Sequence, residues 1–241
     1  MLGESMDMIK SLCSTFNVQR STFNVMSLSL FLFLILAACS GKDSYHYPSV
    51  KEEFFSAYAN ADSLLQYIIT DDGVTRQVVE PEGLNTIAPD SLVRLMGYYE
   101  EQTDGKVKVH SFLNAISPLP VPAEQYADSV ATAPVVIQSS WLGYQHVNML
   151  VNVKAGGKVH KIVFLEESSE GPDADGVATA VVSIHHNDAE DARIYDTRGY
   201  ASLPLMPYLT PQVRKLNVVI RYLTYEDDFR EIPYVYINTD K

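Results

Sequence analysis

The stretch VNMLVNV, Val147 to Val153, places Val147, Met149, Val151 and Val153 on one side of an extended chain and Asn148 and Asn152 on the other. Successive side chains of a strand point to opposite faces, so this period of two describes a half-buried strand. A helix would scatter the same four apolar residues around its circumference. The pattern extends outward from there. VATAVVSIHH (177–186) aligns Ala178, Ala180, Val182 and Ile184, with His186 at the end of the row. RKLNVVIRYLTYED (214–227) sets Leu216, Val218, Ile220 and Tyr222 against Lys215, Asn217 and Arg221. KVHKIVFLEE and IPYVYIN are further runs rich in β-branched and aromatic residues. PDSLVRLMGYYEEQ (89–102) opens like a helix, but LVRLMGYYEE alternates and reads as a strand. No long amphipathic helix interrupts these runs, and the expected class is all-β.

The chain changes character at SPLPVPAEQYADSVATAP (117–134), where prolines crowd a short stretch. A proline gives no N–H to a ladder, so continuous pairing should stop there and a domain junction is expected. Before it lie five short strand candidates: 54–60, 65–70, 75–79, 92–101 and 106–113. Asp71-Asp72-Gly73 and Asp104-Gly105 mark hairpin turns between neighbours. Five strands in so short a span fit an N-terminal OB-like five-stranded barrel over residues 51–120. After the junction, about seven strands at regular spacing fit a C-terminal immunoglobulin-like β-sandwich over residues 131–241. Trp141 follows the run 135–140 without aromatic sequence neighbours, and its expected place is inside that sandwich.

The first 38 residues have a different logic. An apolar run, Met26 to Ala38, is broken only by Ser27 and Ser29. Thirteen helical residues rise about 20 Å, short of the roughly 30 Å hydrocarbon core, yet they suit a signal-peptide apolar region. Lys10 and Arg20 offset Glu4 and Asp7 upstream; a start at Met8 would leave that segment with a net charge of +2. Leu36-Ala37-Ala38-Cys39 resembles the bacterial lipobox, in which the chain is cut before a cysteine that already carries lipid. Residues 1–38 are then a signal peptide, Cys39 the lipid anchor, and 39–50 a polar flexible tether. Cys13 leaves with the signal and Cys39 is acylated, so no disulfide remains in the exported chain. Ser40, rather than Asp, follows the cysteine, and by resemblance to other lipoproteins nothing marks the chain for the inner membrane. Outer-membrane anchoring in the cell envelope is expected, with the face left open.

The chain has 18 basic and 30 acidic residues and a formal net charge of −12, and the signal peptide removes equal numbers of each. Nucleic-acid backbones call for clustered Lys and Arg, so they are excluded as partners. Membrane contact is expected through the lipid alone. His185 and His186 are adjacent on a strand and face opposite ways, so they cannot share one ion. HNDAEDARIYD lacks the spaced oxygen ligands of a calcium loop, and neither a metal nor another cofactor is expected. No G-x-S-x-G elbow is present, and lipidation would consume the one remaining thiol. All fifteen tyrosines lie beyond the signal. Tyr98, Tyr99, Tyr234 and Tyr236 form a candidate binding surface, because an aromatic ring with a polar tip suits both sugar and peptide. The competing reading is that these rings tile a β-surface.

SSWLGYQHVNMLVNV, KVHKIVFL and VSIHHNDAEDARIY, set behind a lipobox and a small OB-like domain, resemble the NigD-like lipoproteins. The best-matching positions are Trp141-x-Gly143-Tyr144, His160, and His186-Asn187 with Asp191. The resemblance implies an OB domain followed by a sandwich and a name taken from a bacteriocin-associated operon. It brings no established catalytic activity and no catalytic residues; Trp141, His160, His186 and Asp191 are expected to be structural. The expected function is a non-catalytic envelope lipoprotein binding an unidentified protein or glycan. The alternative is a glycan-processing or other hydrolytic enzyme of the envelope. Labelled palmitate should enter the wild type and be lost in Cys39→Ala; label persisting in that variant would remove the anchor from this account.

Overall fold

The computed structural model describes residues 49–79, 87–126 and 131–239. The signal peptide, the lipobox Leu36 to Cys39 and nearly all of the expected tether lie outside the described residues. From Pro48 onward the chain forms one compact unit.

Among the described residues thirteen strands build it: β1 (Val50–Ala59), β2 (Leu65–Ile69), β3 (Thr75–Gln77), β4 (Ser91–Glu101), β5 (Val107–Asn114), β6 (Val121–Pro122), β7 (Val136–Gly143), β8 (His146–Ala155), β9 (Lys161–Glu170), β10 (Val177–Asn187), β11 (Tyr195–Pro204), β12 (Lys215–Leu223) and β13 (Phe229–Ile237). The chain is all-β, and its second part is a sandwich. The first five strands form one sheet in the order β3-β2-β1-β4-β5, and a parallel bridge between Val78 and Val107 joins its two edges. Gly73 and Gly105 close the β2–β3 and β4–β5 turns at φ +83° and +80°, which is why Asp-Gly marks both places. The sandwich packs β13-β12-β10-β9-β6 against β11-β8-β7. β10 and β12 run parallel, with β11 crossing to the other sheet between them, so the five-stranded sheet is mixed. An immunoglobulin sandwich is antiparallel, and this pair departs from it.

The alternating rows land where period two puts them. Val147, Met149 and Val151 of β8, and Leu216, Val218 and Ile220 of β12, are at most 1% exposed in the sandwich core. Phe55, Ala57, Leu65, Ile68 and Leu95 fill a separate core inside the first sheet. Two features differ from the sequence reading. The proline stretch does not leave the sheets altogether, because Val121 and Pro122 pair parallel with Leu165 and Glu166 at the edge of β9. An edge position tolerates the missing N–H. The sequence reading also does not place β11, because it lacks alternation. Its first half is exposed, while Ala201, Ser202 and Leu203 are buried in succession between the sandwich core and the first sheet.

β1 is likewise covered on both sides. Phe55 and Ala57 face the inside of the first sheet; Phe54 and Ser56 face the sandwich. Phe54 meets Trp141 edge-on at 5.6 Å and Tyr200 at 6.0 Å. Trp141 is therefore half-buried on the seam between the two cores and not inside the sandwich. Its neighbour in space is Phe54, 87 positions earlier in the chain, a contact that no local pattern encodes.

A buried ion pair sits on this seam. Arg94, 6% exposed on β4, pairs through Nη2 with Asp71 of the β2–β3 turn. The same guanidinium donates to Ser56 Oγ at 3.2 Å, Ser202 Oγ at 3.2 Å and Asn148 Oδ1 at 3.1 Å. Removing one partner of a buried pair strands the other charge, at a cost of about 3–5 kcal/mol, whereas an exposed pair contributes about 0–1 kcal/mol. Urea denaturation of Arg94→Ala should show a loss of that larger size, with Lys51→Ala (paired with Glu101 on the surface) nearly unchanged. Equal losses in the two variants would contradict the seam's importance.

Candidate functional site

The Trp141-x-Gly143-Tyr144 segment and the Asp71 turn are built for each other. Trp141 Nε1 donates to Asp71 Oδ2 at 3.1 Å, and Asn148 Nδ2 donates to the same oxygen at 2.6 Å. The Tyr144 N–H donates to the Asp71 carbonyl at 2.9 Å. A Cβ on Gly143 would overlap the Asp71 carboxylate, and the Tyr144 ring covers Gly73. The motif picked out in the sequence is thus the socket for a turn of the first sheet.

Beside this socket, the two halves leave a cleft of about 400 Å³ lined by Glu52, Glu53, Asp71, Met96, Trp141, Leu150, Arg198 and Tyr200. A second hollow of about 230 Å³ shares Glu52, Met96 and Tyr200 and adds Tyr98, Phe112 and Leu113. Strand alternation supplies its walls: Glu52 precedes the seam-facing Phe54 by two residues, and Met96 and Tyr98 follow Arg94 by two and four. Asp71 and Glu53, two of the three acidic groups in the cleft, already have a donor. Asp71 serves Arg94, Trp141 and Asn148. Glu53 accepts from the Tyr99 hydroxyl at 2.5 Å, and Glu52 lies beside Tyr98 and holds its hydroxyl above the ordinary pKa. Burial raises the Glu53 carboxyl above its ordinary range, the Tyr99 bond opposes this, and the charge of Asp71 adds to it. Burial also lowers the Arg94 guanidinium, against the pull of Asp71.

The four tyrosines do not share a surface. Tyr98 is 43% exposed and walls the second hollow, which adjoins the cleft through Glu52, Met96 and Tyr200, but Tyr99 is 1% exposed and meets Phe55 edge-on. Tyr236 is buried in the sandwich core, and Tyr234 packs against that core with its hydroxyl 2.5 Å from Ser140 Oγ. The outward residues of β13 are Val235 and Ile237. Tyr99, Tyr234 and Tyr236 therefore leave the candidate surface. Tyr200, Arg198 and Met96 join it from strands whose sequence carries no binding motif, and only the meeting of β4 with β11 reveals them.

His160, His186 and Asp191 form a second cluster, at the other end of β8. Asp191 Oδ2 accepts from the N–H groups of Gly156, Gly157 and Lys158 at 2.6, 3.0 and 3.1 Å, and lies 3.2 Å from His160 Nε2. These bonds, led by Gly156, hold the carboxyl at about 2 against the effect of its own burial. His186, 1% exposed, connects His160 to the Pro134 carbonyl. The row ends on a carbonyl oxygen, which can neither attack a substrate nor pass on a proton, so it is no nucleophile relay. The rings bond to one another instead of converging on an ion, and among the described residues no group of His, Cys, Asp or Glu is placed to hold a metal.

Residues 117–236 match the family model of the NigD-like C-terminal beta sandwich domain. A NigD-like immunity protein from Bacteroides caccae is similar in structure and sequence, with a TM-score of 0.62 and 29% identity over 80% of this chain and 99% of that one. Residues 117–236 are a C-terminal sandwich domain of the NigD-like family. The same fold recurs in a protein described as toxin-related from Parabacteroides distasonis (TM-score 0.63, 19% identity, 80% of this chain and 95% of that one). It recurs again in one described as a lipoprotein from Bacteroides fragilis (TM-score 0.53, 11% identity, 80% and 100%). None of the curated proteins matches. The family match begins at Ser117, so it takes in the edge strand β6 of the proline stretch.

One titrating group of this chain reports on the seam. His146 opens β8 with Nδ1 2.8 Å from the Tyr144 carbonyl, and burial, then the Arg94 charge, pushes its pKa down to about 4. The unfolded chain binds this proton near pH 6.5 and the fold refuses it until about pH 4. The contribution is therefore present above pH 6.5 and lost as pH falls to 4, a span worth up to about 3 kcal/mol. His146→Gln should flatten the fall in unfolding free energy between pH 6.5 and 4; an unchanged slope would place His146 outside the seam's electrostatics.

Proposed function

We propose that this chain is a non-catalytic lipoprotein of the cell envelope, held at the outer membrane through Cys39, that binds a protein or glycan partner in the cleft between Tyr98 and Arg198. The carrying observation is that the carboxylates of Asp71 and Glu53 are already engaged by structural donors, while the free walls of the cleft are aromatic and thioether surface. Glycoside hydrolysis needs one carboxyl poised as acid and a second available as base or nucleophile. Asp71 has no such freedom while it accepts from Arg94, Trp141 and Asn148. Exposed aromatic surface with a charged rim is what contact surfaces use. The description of the Bacteroides caccae relative as an immunity protein agrees with a role exercised on a partner rather than on a metabolite. The hydrolytic alternative retains one favourable feature, the raised carboxyl of Glu53 in the same cleft.

The test is capture from detergent-solubilised envelope with the lipidated protein, run beside a soluble glycan array. Tyr98→Ala and Arg198→Ala, both at exposed positions of the cleft and the hollow adjoining it, should each weaken capture or glycan retention about tenfold or more, the loss expected of a contact worth over about 1.4 kcal/mol. Ile194→Ser, exposed outside the cleft lining, should leave binding unchanged. Glycan cleavage that disappears in Glu53→Gln would replace this reading with the enzyme.

A further inference from the structure

Four groups stand in a row across the end of the sandwich remote from the seam. The Pro134 carbonyl lies 3.2 Å from His186 Nδ1, His186 Nε2 lies 3.0 Å from His160 Nδ1, and His160 Nε2 lies 3.2 Å from Asp191 Oδ2. Each of the three gaps is hydrogen-bond distance and requires one proton. The carbonyl can only accept, and so can the ionised carboxylate of Asp191, which three backbone N–H groups already keep ionised. Protons must therefore sit on His186 Nδ1 and on His160 Nε2, with a third between the rings. Two neutral imidazoles carry two. We infer that His160 and His186 together hold one extra proton, balanced by the Asp191 carboxylate, and act as a pH-gated latch joining the approach to β7, the β8–β9 turn, β10 and the β10–β11 loop.

The site of the charge follows from the surroundings. His186 is 1% exposed and its pKa is lowered, first by burial and then in part by His160, so it is the neutral ring, donating from Nδ1 and accepting at Nε2. His160 donates from both nitrogens and is the imidazolium. The other charged groups facing the pair leave its balance in place. Asp188 favours charge on His186 and is itself 3.4 Å from Arg193. Lys158 Nζ is turned to the Ala189 and Glu190 carbonyls, and Lys161 lies over the Tyr126 ring on the other face of the sheet with His185. Ala133 and Pro134, on the approach to β7, bring no charge.

Three protons are the only number that fills the row. A fourth would put N–H groups on His186 Nε2 and His160 Nδ1, facing each other; with two, one link is empty. In the unfolded chain both rings titrate near ~6.5. Above that value the fold keeps a proton that the unfolded chain has released, so the latch's contribution is whole near pH 6.5 and is lost as pH rises. Below it, His186 refuses a proton that the unfolded chain takes up, and stability is lost as pH falls.

The decisive measurement is the ring-nitrogen spectrum of the ¹⁵N-labelled full chain at pH 7. Both nitrogens of His160 and Nδ1 of His186 should resonate as N–H nitrogens, and Nε2 of His186 as a bare acceptor. Two neutral rings at that pH would overturn the inference, and so would two rings titrating together like free imidazole. A second measurement follows Tm from pH 7 to 9, which should fall for the wild type and stay flat for His160→Gln. A wild type as flat as the variant would count against the latch; should the variant fail to fold, the wild-type spectrum decides alone.

Discussion

The Arg94–Asp71 pair organises this molecule because it is the point where two separately built hydrophobic cores meet and neither can supply the other's polar groups. Asp71 belongs to a tight turn of the first sheet, and Asn148, Ser202 and Trp141 belong to the outer face of the three-stranded sheet of the sandwich. Arg94 reaches Asp71 and Asn148 with one nitrogen, Ser56 with another, and Ser202 with its Nε. Ser202 also donates to Asn148 at 2.8 Å, so the cluster is closed on itself. Net stabilisation from a buried ion pair is small once desolvation is counted. Its effect is directional: an apolar seam could slide, whereas four hydrogen-bonding partners converging on one guanidinium admit one registration.

That registration creates the cleft. With the Asp71 turn seated in Trp141-x-Gly143-Tyr144, β4 comes to lie beside β11, and Tyr98 and Met96 face Arg198 and Tyr200 across a gap that neither half possesses alone. The same seating explains why Asn148, a polar residue in a strand row that should face water, is fully buried. It also accounts for the depressed His146, which burial first and then the Arg94 charge keep neutral down to about pH 4. The far end of β8 carries a contrasting polar cluster, in which Asp191, His160 and His186 draw loops together within the sandwich itself. The positions that resemble the family most closely thus fall into two structural knots, one at each end of the same strand.

Much of this was legible in the chain. Alternation identifies nearly every strand, because burying one face of a sheet requires period two, and the five strands ahead of the proline stretch fall within a few residues of their expected places. Asp-Gly marks two turns because positive φ is cheap only for glycine. The tyrosine pairs were misleading for the same physical reason that makes strands readable. Tyr234 and Tyr236 do share a face, as period two demands, but the pattern does not say whether that face is the core or the solvent, and here it is the core.

The sequence by itself determined the all-β class, the strands with one buried face, the turns and the lipobox-like segment, since each depends on residues within about ten positions of one another. Only the tertiary structure decided what lies on both sides of β1 and β11, whose two faces are covered by different partners and so show no alternation. It alone brought Asp71 to Trp141, Arg94 to Ser202, and His160 between His186 and Asp191. These contacts join residues 26 to 108 positions apart. Hydrogen-bond geometry in three dimensions selects such partners, and a one-dimensional pattern holds no record of that choice.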